Sequence, residues 1–374
     1  MNTPPRDIDS VTACGSVLTV NLSAIERNYH TISQQVGKAE VSAVVKANAY
    51  GLGMEAVAPA LERAGCRTFF VAMLDEGIAV RHTLPDATIY ILHGVRAGEE
   101  SQFLEHRLSP VLGSLDELTR WEAQTSDIGA ALHIDTGMHR LGISMEDAGT
   151  LLGDHTRLGR TNIHLLMSHL ACGGEQTHIK NQRQQRDFAT LRAQAPHIPA
   201  CFANSAGCFM GDDFHFDMVR PGGALYGLRF SDLSPYPTEQ AITLSASILH
   251  SHTLHNEDSV GYAATCTLPK GARVAVMGMG YSDGFPRLLS NKGQVFIEGH
   301  AVPVVGTVTM DMTILDVSHL PKALTLPGTM VEIIGPNQTP AQLAETAGII
   351  DYELMTRMGH RVTRIYTHGQ KASL

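Results

Sequence analysis

The sequence predicts an α/β plus all-β chain: an N-terminal (β/α)8 TIM barrel followed by a C-terminal β-strand domain. Three observations predict it. From about residue 23 to residue 238, short apolar runs alternate with amphipathic stretches, which is the rhythm of βα units. No GxGxxG follows the first apolar run, which counts against a doubly wound open sheet, the alternative. Beyond residue 238 helical periodicity nearly vanishes, and glycine, asparagine and proline turns separate strand-like runs.

The elements follow in order. SVLTVNL (16–22) alternates apolar and polar residues and is expected to join the second domain. Eight strands come next: EVSAVVK (40–46), RTFFVAM (67–73), TIYILHG (88–94), LSPVLG (108–113), AALHIDT (130–136), IHLLMSH (163–169), ACFANS (200–205) and FDMVRPG (216–222). Between them GMEAVAPALERAG, DEGIAVRHT, GSLDELTRWEAQ and KNQRQQRDFATLRAQA open with or near a capping residue, glycine or acid, as helices do. TLSASILHSHTL, ARVAVMGMG, GQVFIEGHAVPVVGTV, MTILDVS and GTMVEIIG then read as strands. Two domains are expected, 1–238 and 239–374, because 374 residues exceed what one core of about 200 to 250 usually serves.

Composition removes several function classes. A formal charge of −9 without a basic stretch argues against general affinity for nucleic acid or anionic membrane. No export signal and no long apolar run is present, so the chain reads as soluble and cytoplasmic. Six cysteines, at 14, 66, 172, 201, 208 and 266, include no CxxC pair, and neither a disulfide scaffold nor a metal site is expected. The nineteen histidines are mostly scattered and contain no HExxH, so nearly all read as structural or surface residues.

In a barrel the residues ending each strand share one mouth. That gathers Lys46 after the first strand, Asp135 and Arg140 after the fifth, Ser168 and His169 after the sixth, and Asn204 and Ser205 after the seventh. The eighth adds Arg220, Pro221, Gly222 and Gly223, whose backbone amides could cradle a phosphate. A lysine facing inward beside two arginines and a phosphate nest suits an anionic carbonyl cofactor held covalently. Pyridoxal 5'-phosphate fits, because a desolvated lysine near cations becomes a competent Schiff-base amine. Each residue taken singly has a plainer reading. Lys46 could snorkel to water, His169 could be a satisfied core histidine, and Tyr262 and Tyr281 could be strand aromatics. Arg220 could be a loop charge and Ser205 a helix cap.

The blocks AVVKANAYGLG, DTGMHRLG, MSHLAC, ANSAG, VRPGGALYG, VGYAAT, MGYSDGFPR, VGTVTMDM and DYELMTR, in this order and spacing, resemble alanine racemase over nearly the whole chain. The resemblance implies a homodimer with shared active sites acting on a small amino acid, interconverting L- and D-alanine and supplying D-alanine for peptidoglycan. It implies that Lys46 holds the cofactor and serves as one of two bases, and that Tyr262 is the other, supplied by the partner subunit. Tyr50, Tyr352, Ser205 and the backbone of Gly222 and Gly223 match phosphate-holding positions, with Asn204 beside them. His169 matches the imidazole packed on the cofactor ring, and Arg220 the guanidinium facing its pyridine nitrogen. Arg140 matches the guanidinium near the substrate carboxylate, and Tyr281 and Met310 match further partner-subunit contacts to substrate. No metal is implied.

Four positions depart from the family pattern. His133 stands where many members have a lysine that becomes carbamylated, so Arg140 needs another orienting partner, chloride or a nearby carboxylate, and the rate is expected not to depend on bicarbonate. Gly174 and Thr307 replace an acid and an arginine lining the corridor to the cofactor, which widens it or makes it less polar. Asp351 replaces an asparagine before Tyr352, with no account of its effect. The alternatives are a broader-specificity amino-acid racemase, a barrel-type decarboxylase, which Arg220 disfavours, and a non-catalytic cofactor carrier, which residues 239–374 disfavour.

Overall fold

The computed structural model describes residues 15–124, 127–233 and 236–369; Cys14 lies outside them. The chain forms two compact units, one of Ala24–Glu239 and the other of the segment up to Ser23 together with Gln240 onward. Among the described residues, no helix is long and apolar enough to cross a membrane.

The strand β1 (Ser16–Asn21) precedes the first unit, whose own strands are β2 (Glu40–Val41), β3 (Ala43–Val44), β4 (Thr68–Val71), β5 (Thr88–Ile91), β6 (Ser109–Leu112), β7 (Ala130–His133), β8 (Ile163–Met167), β9 (Ala200–Asn204) and β10 (Met218–Arg220). They run parallel in the order β2-β10-β9-β8-β7-β6-β5-β4-β3. The pieces β2 and β3 are halves of the expected first strand, parted at Ser42, whose N–H and Oγ–H both donate to the Val219 carbonyl, at 3.0 and 2.7 Å. One half pairs with β10 and the other with β4, and this closes the barrel. Apolar residues on both faces are buried, as a parallel sheet covered by helices requires: Phe69, Phe70, Ile89, Leu132, Leu166, Phe202 and Val219 are all fully enclosed. The helix Ile179–Arg192 packs Phe188 on Phe202, ring centroids 5.4 Å apart.

Every barrel strand is shorter than the apolar run that predicted it. The first ends at Val44, two residues before Lys46, and the fifth at His133, before Asp135. Several of the trimmed residues still bond to the neighbouring strand, Val45 N–H to Phe70 O at 3.0 Å and Ile134 N–H to Met167 O at 2.8 Å, so the apolar run extends past the regular ladder.

In the second unit β1 lies between β11 (Ile242–Thr253), antiparallel, and a parallel C-terminal strand, Thr363–Thr367. The twelve-residue β11 carries an irregularity between Ile248 and His250; its first half pairs with β1 and Met330–Ile334, its second with Arg273–Met277. This unit is not purely strand. Pro340–Ala347 and Asp351–Thr356 are helices, the first with a Thr339/Gln342 capping box, proline at its start and Gly348 ending it in the left-handed conformation. Those signals were in the sequence but too short to register as periodicity.

Candidate active site

Lys46 leaves the first barrel strand through a turn of the wrong hand. Ala47, Asn48, Ala49 and Tyr50 have φ of 51, 55, 53 and 57°, a run of left-handed conformation that costs about 1–2 kcal/mol per residue. The turn closes with its own bonds, Ala49 N–H to Val45 O at 2.9 Å and Gly51 N–H to Ala47 O at 2.8 Å, while Asn48 Oδ1 accepts from Met54 N–H at 2.8 Å. Strain of this kind persists where the surroundings over-determine it, and it concentrates at functional sites. Lys46 itself is half-buried. Desolvation, followed by the fields of Arg140 and Arg220, lowers the pKa of its amine, and Glu76 opposes them.

Behind Lys46 stands a buried guanidinium. Arg220, at the end of β10, is 3% exposed; Nη2 donates to Ser168 O at 2.5 Å and to His169 Nδ1 at 3.1 Å. Its carbon lies 6.0 Å from the centre of the Phe70 ring. Among the described residues no carboxylate comes within ion-pair distance of Arg220, and its buried Nε has no hydrogen-bond partner. The neighbours are bases instead. Burial, and then Arg220 and Arg140, hold His169 well below its usual range, so its imidazole is neutral and Nδ1 accepts from Arg220. The same causes, burial foremost, bring His133 down to about 4.

The loops around this pair are tied down by side chains. Asp135 Oδ1 accepts from Gly137 N–H, Met138 N–H and His139 N–H at 2.8, 2.8 and 3.1 Å, turning the chain just before the exposed Arg140. Burial pushes the Asp135 carboxyl up, but these donors outweigh it and leave it below the ordinary carboxylate range. The fully buried Gln184 donates to Thr136 Oγ1 (3.2 Å) and His169 O (2.9 Å) and accepts from Ala171 N–H (2.9 Å).

Ser205, just after β9, accepts through Oγ from two amides that follow β10, Gly222 N–H at 2.9 Å and Ala224 N–H at 3.2 Å. A Cβ on Gly222 would fall 2.3 Å from Tyr50 Oη, so only glycine admits this tyrosine. Burial pushes the Tyr50 hydroxyl up to about 12, with Arg220 pulling the other way. Its ring lies 5.1 Å from that of Tyr226, whose hydroxyl donates to Val44 O at 2.8 Å and so ties this end of the barrel to the first strand. Asn204, the last residue of β9, accepts from Gly207 N–H through Oδ1 at 3.1 Å.

In the second unit Tyr262, Tyr281 and Met310 are exposed by 73, 43 and 53%, unusual for large apolar or aromatic side chains on one group of loops. Tyr262 follows Gly261 and precedes Ala263 and Ala264, all three with positive φ. Its carbonyl accepts from Thr307 Oγ1 at 3.1 Å. The turns bearing Tyr281 and Met310 are joined: Tyr281 N–H reaches Thr309 O and Ser282 N–H reaches Met310 O, both at 3.0 Å. A Cβ on Gly280 would fall 2.4 Å from both those carbonyl oxygens. Arg361 closes the pair, Nε donating to the buried Asp283 at 2.9 Å and Nη1 to Asp311 at 2.7 Å. Tyr352 sits on the helix Asp351–Thr356, its N–H donating to the buried Asp351 Oδ1 at 3.0 Å.

The barrel mouth therefore brings together Lys46, Tyr50, His169, Ser205, Arg220 and Gly222, with Arg140 and His133 within reach of their electrostatic field. The fit to pyridoxal phosphate is testable on these residues. A buried guanidinium with no carboxylate partner among the described residues and a spare Nε donor, an amine of lowered pKa, and a glycine-lined strand end with a serine hydroxyl suit an anionic, aromatic aldehyde. Sequence reasoning missed Glu76, Gln184 and Tyr226. The first had a visible signal, an acid in the first turn after a strand; the other two sit in runs that read as an ordinary helix face and a glycine-rich loop.

The sequence and fold of the chain match known proteins. The alanine racemase N-terminal domain family matches residues 20–230 and the alanine racemase C-terminal domain family residues 241–366. The chain is 42% identical to an alanine racemase of Rhodospirillum rubrum, covering 94% of this chain and 96% of the relative. It is 40% identical to a catabolic alanine racemase of Agrobacterium fabrum, covering 93% and 91%. It also superposes on the crystal structure of alanine racemase from Bartonella henselae with covalently bound pyridoxal phosphate, with a TM-score of 0.90, 37% identity and coverage of 95% and 100%.

Proposed function

The chain belongs to the alanine racemase family, and on that premise we propose that it interconverts L- and D-alanine with pyridoxal phosphate, by a two-base mechanism, in a homodimer whose sites are shared. The observation that carries the reading is the buried Arg220, a permanent cation without a carboxylate, set beside an amine of lowered pKa. When bound, the cofactor acts as an electron sink that acidifies the substrate Cα–H.

The residues of the chain do the rest. Lys46 anchors the cofactor covalently. Tyr50, Tyr352, Ser205 and the backbone of Gly222 and Gly223 hold its phosphate, with Asn204 shaping the loop beside them. His169 would pack on its ring. Arg220, which keeps its proton, would meet the pyridine nitrogen as a donor only, so it would add little to the sink and disfavour protonation away from Cα. Arg140 binds the substrate carboxylate. Lys46 takes or returns the Cα proton on one face, and Tyr262 of a second copy does so on the other. Two bases are needed because inversion requires removal from one side and delivery to the opposite one. The exposure of Tyr262, Tyr281 and Met310 supports their use by a partner copy. The product role is D-alanine supply for peptidoglycan in the cytoplasm.

The test is α-deuterium washout in both directions. Tyr262→Phe is expected to keep the cofactor's colour and slow washout from one enantiomer selectively; equal slowing of both refutes the two-base assignment. Holoprotein that leaves L-alanine optically unchanged refutes the activity. A broader amino-acid racemase is the second reading, favoured by Gly174 and Thr307 in place of charged residues. A higher kcat/KM for serine, lysine or arginine than for alanine would establish it.

A further inference from the structure

The strained turn that presents Lys46 depends on a residue outside it. In the left-handed run from Ala47 to Tyr50, Ala49 N–H bonds back to Val45 O, and Gly51 N–H just after the run bonds back to Ala47 O. The first amide of the run does not: Ala47 N–H donates to Glu76 Oε1 at 2.6 Å. The other carboxylate oxygen, Oε2, accepts from Ala72 N–H at 2.8 Å and Met73 N–H at 3.1 Å. Glu76 is half-buried in the first turn of the helix Leu74–Thr83, just after β4. One carboxylate thus fastens the loop after the first barrel strand to the loop after the second, at the residue following Lys46. Charge-assisted bonds to three backbone donors are among the stronger fastenings available to a loop. Without them Ala47 N–H loses its acceptor, and the strain in the turn is released toward other conformations.

We propose that Glu76 is a positioning residue: it locks the left-handed turn after Lys46, and thereby the direction in which the amine is presented to the cofactor. The proposal rests on Lys46 being the cofactor's anchor. Glu76 touches neither cofactor nor substrate in this role; it acts through the backbone of Ala47. It has a second, separable effect, since its charge opposes the desolvation and the two arginines that act on Lys46.

The test is Glu76→Gln. A glutamine keeps the volume but has a single acceptor oxygen, so it can serve Ala47 or the Ala72/Met73 pair, not both. In the holoenzyme, dissociation of pyridoxal phosphate is expected to quicken by about tenfold, the scale of one lost charge-assisted bond. Hydrogen exchange of the amides between residues 43 and 53 and of Ala72 and Met73 is expected to quicken in both the holoenzyme and the cofactor-stripped chain, with exchange in residues 240–369 unchanged. The pH midpoint for borohydride trapping of the cofactor on Lys46 is expected to fall, which a purely structural role would not produce. Unchanged exchange at Ala47 together with unchanged cofactor dissociation overturns the proposal. Peptide mapping of the borohydride-reduced adduct keeps the premise separate: an adduct on another lysine refutes the anchor, whereas the exchange measurement on the stripped chain judges the clamp by itself.

Discussion

Replacing His133 by glutamine is expected to remove a specific acid sensitivity from the barrel. His133 is 9% exposed at the end of β7, and burial, with Arg220 and Arg140 behind it, brings its pKa from 6.5 to about 4. In the unfolded chain the imidazole returns to its ordinary value. Between about pH 4 and 6.5 the unfolded state therefore binds the proton that the folded state refuses, and stability rises with pH across that window. The contribution is complete above pH 6.5 and is lost as the pH falls toward 4, amounting to about 3 kcal/mol over the window. The side chain is enclosed, so solvent screening takes little from this figure. The assay is urea unfolding of the cofactor-stripped chain at several pH values from 4 to 7.5, comparing wild type with His133→Gln. Any packing loss in the variant is a constant offset, and the difference in slope carries the information. Parallel curves would refute the reasoning, since they would mean that His133 titrates alike folded and unfolded.

Three further outcomes follow from the site. Arg140→Ala removes one of the two cations that act on Lys46, so the pH midpoint for borohydride trapping of pyridoxal phosphate on Lys46 is expected to rise; a fall would contradict the sign of that field. Gly222→Ala sets a methyl 2.3 Å from the Tyr50 hydroxyl, and moving that buried ring is expected to cost about 1–3 kcal/mol in thermal unfolding and to weaken cofactor affinity; an unchanged Kd would mean the two do not share a phosphate site. Arg361→Ala unties Asp283 from Asp311, so exchange at 280–284 and 309–312 is expected to quicken and KM for alanine to rise more than kcat falls; a kcat effect alone would remove Tyr281 and Met310 from substrate binding.

The alternation of apolar runs and amphipathic stretches was enough to predict the barrel, because parallel strands buried on both faces must be apolar throughout and their connections must be amphipathic helices. Lys46, His169, Ser205 and Arg220 could be placed at strand ends for the same reason. The strand lengths could not be read off, since the apolar run continues past the end of the regular strand, as Val45 and Ile134 illustrate. The short helices at 340–347 and 351–356 span too few turns to show a period.

By itself the sequence determined which chemical groups are present at the strand ends and which of them stand in the order of a known family. Only the tertiary structure decided their state. Whether His133 and His169 carry a proton depends on their burial and on the distance to Arg220, which no local pattern encodes. The handedness of the turn after Lys46 and its fastening by Glu76 depend on a carboxylate 29 positions from Ala47 in the chain, brought within 2.6 Å of it only when the first two barrel strands pair.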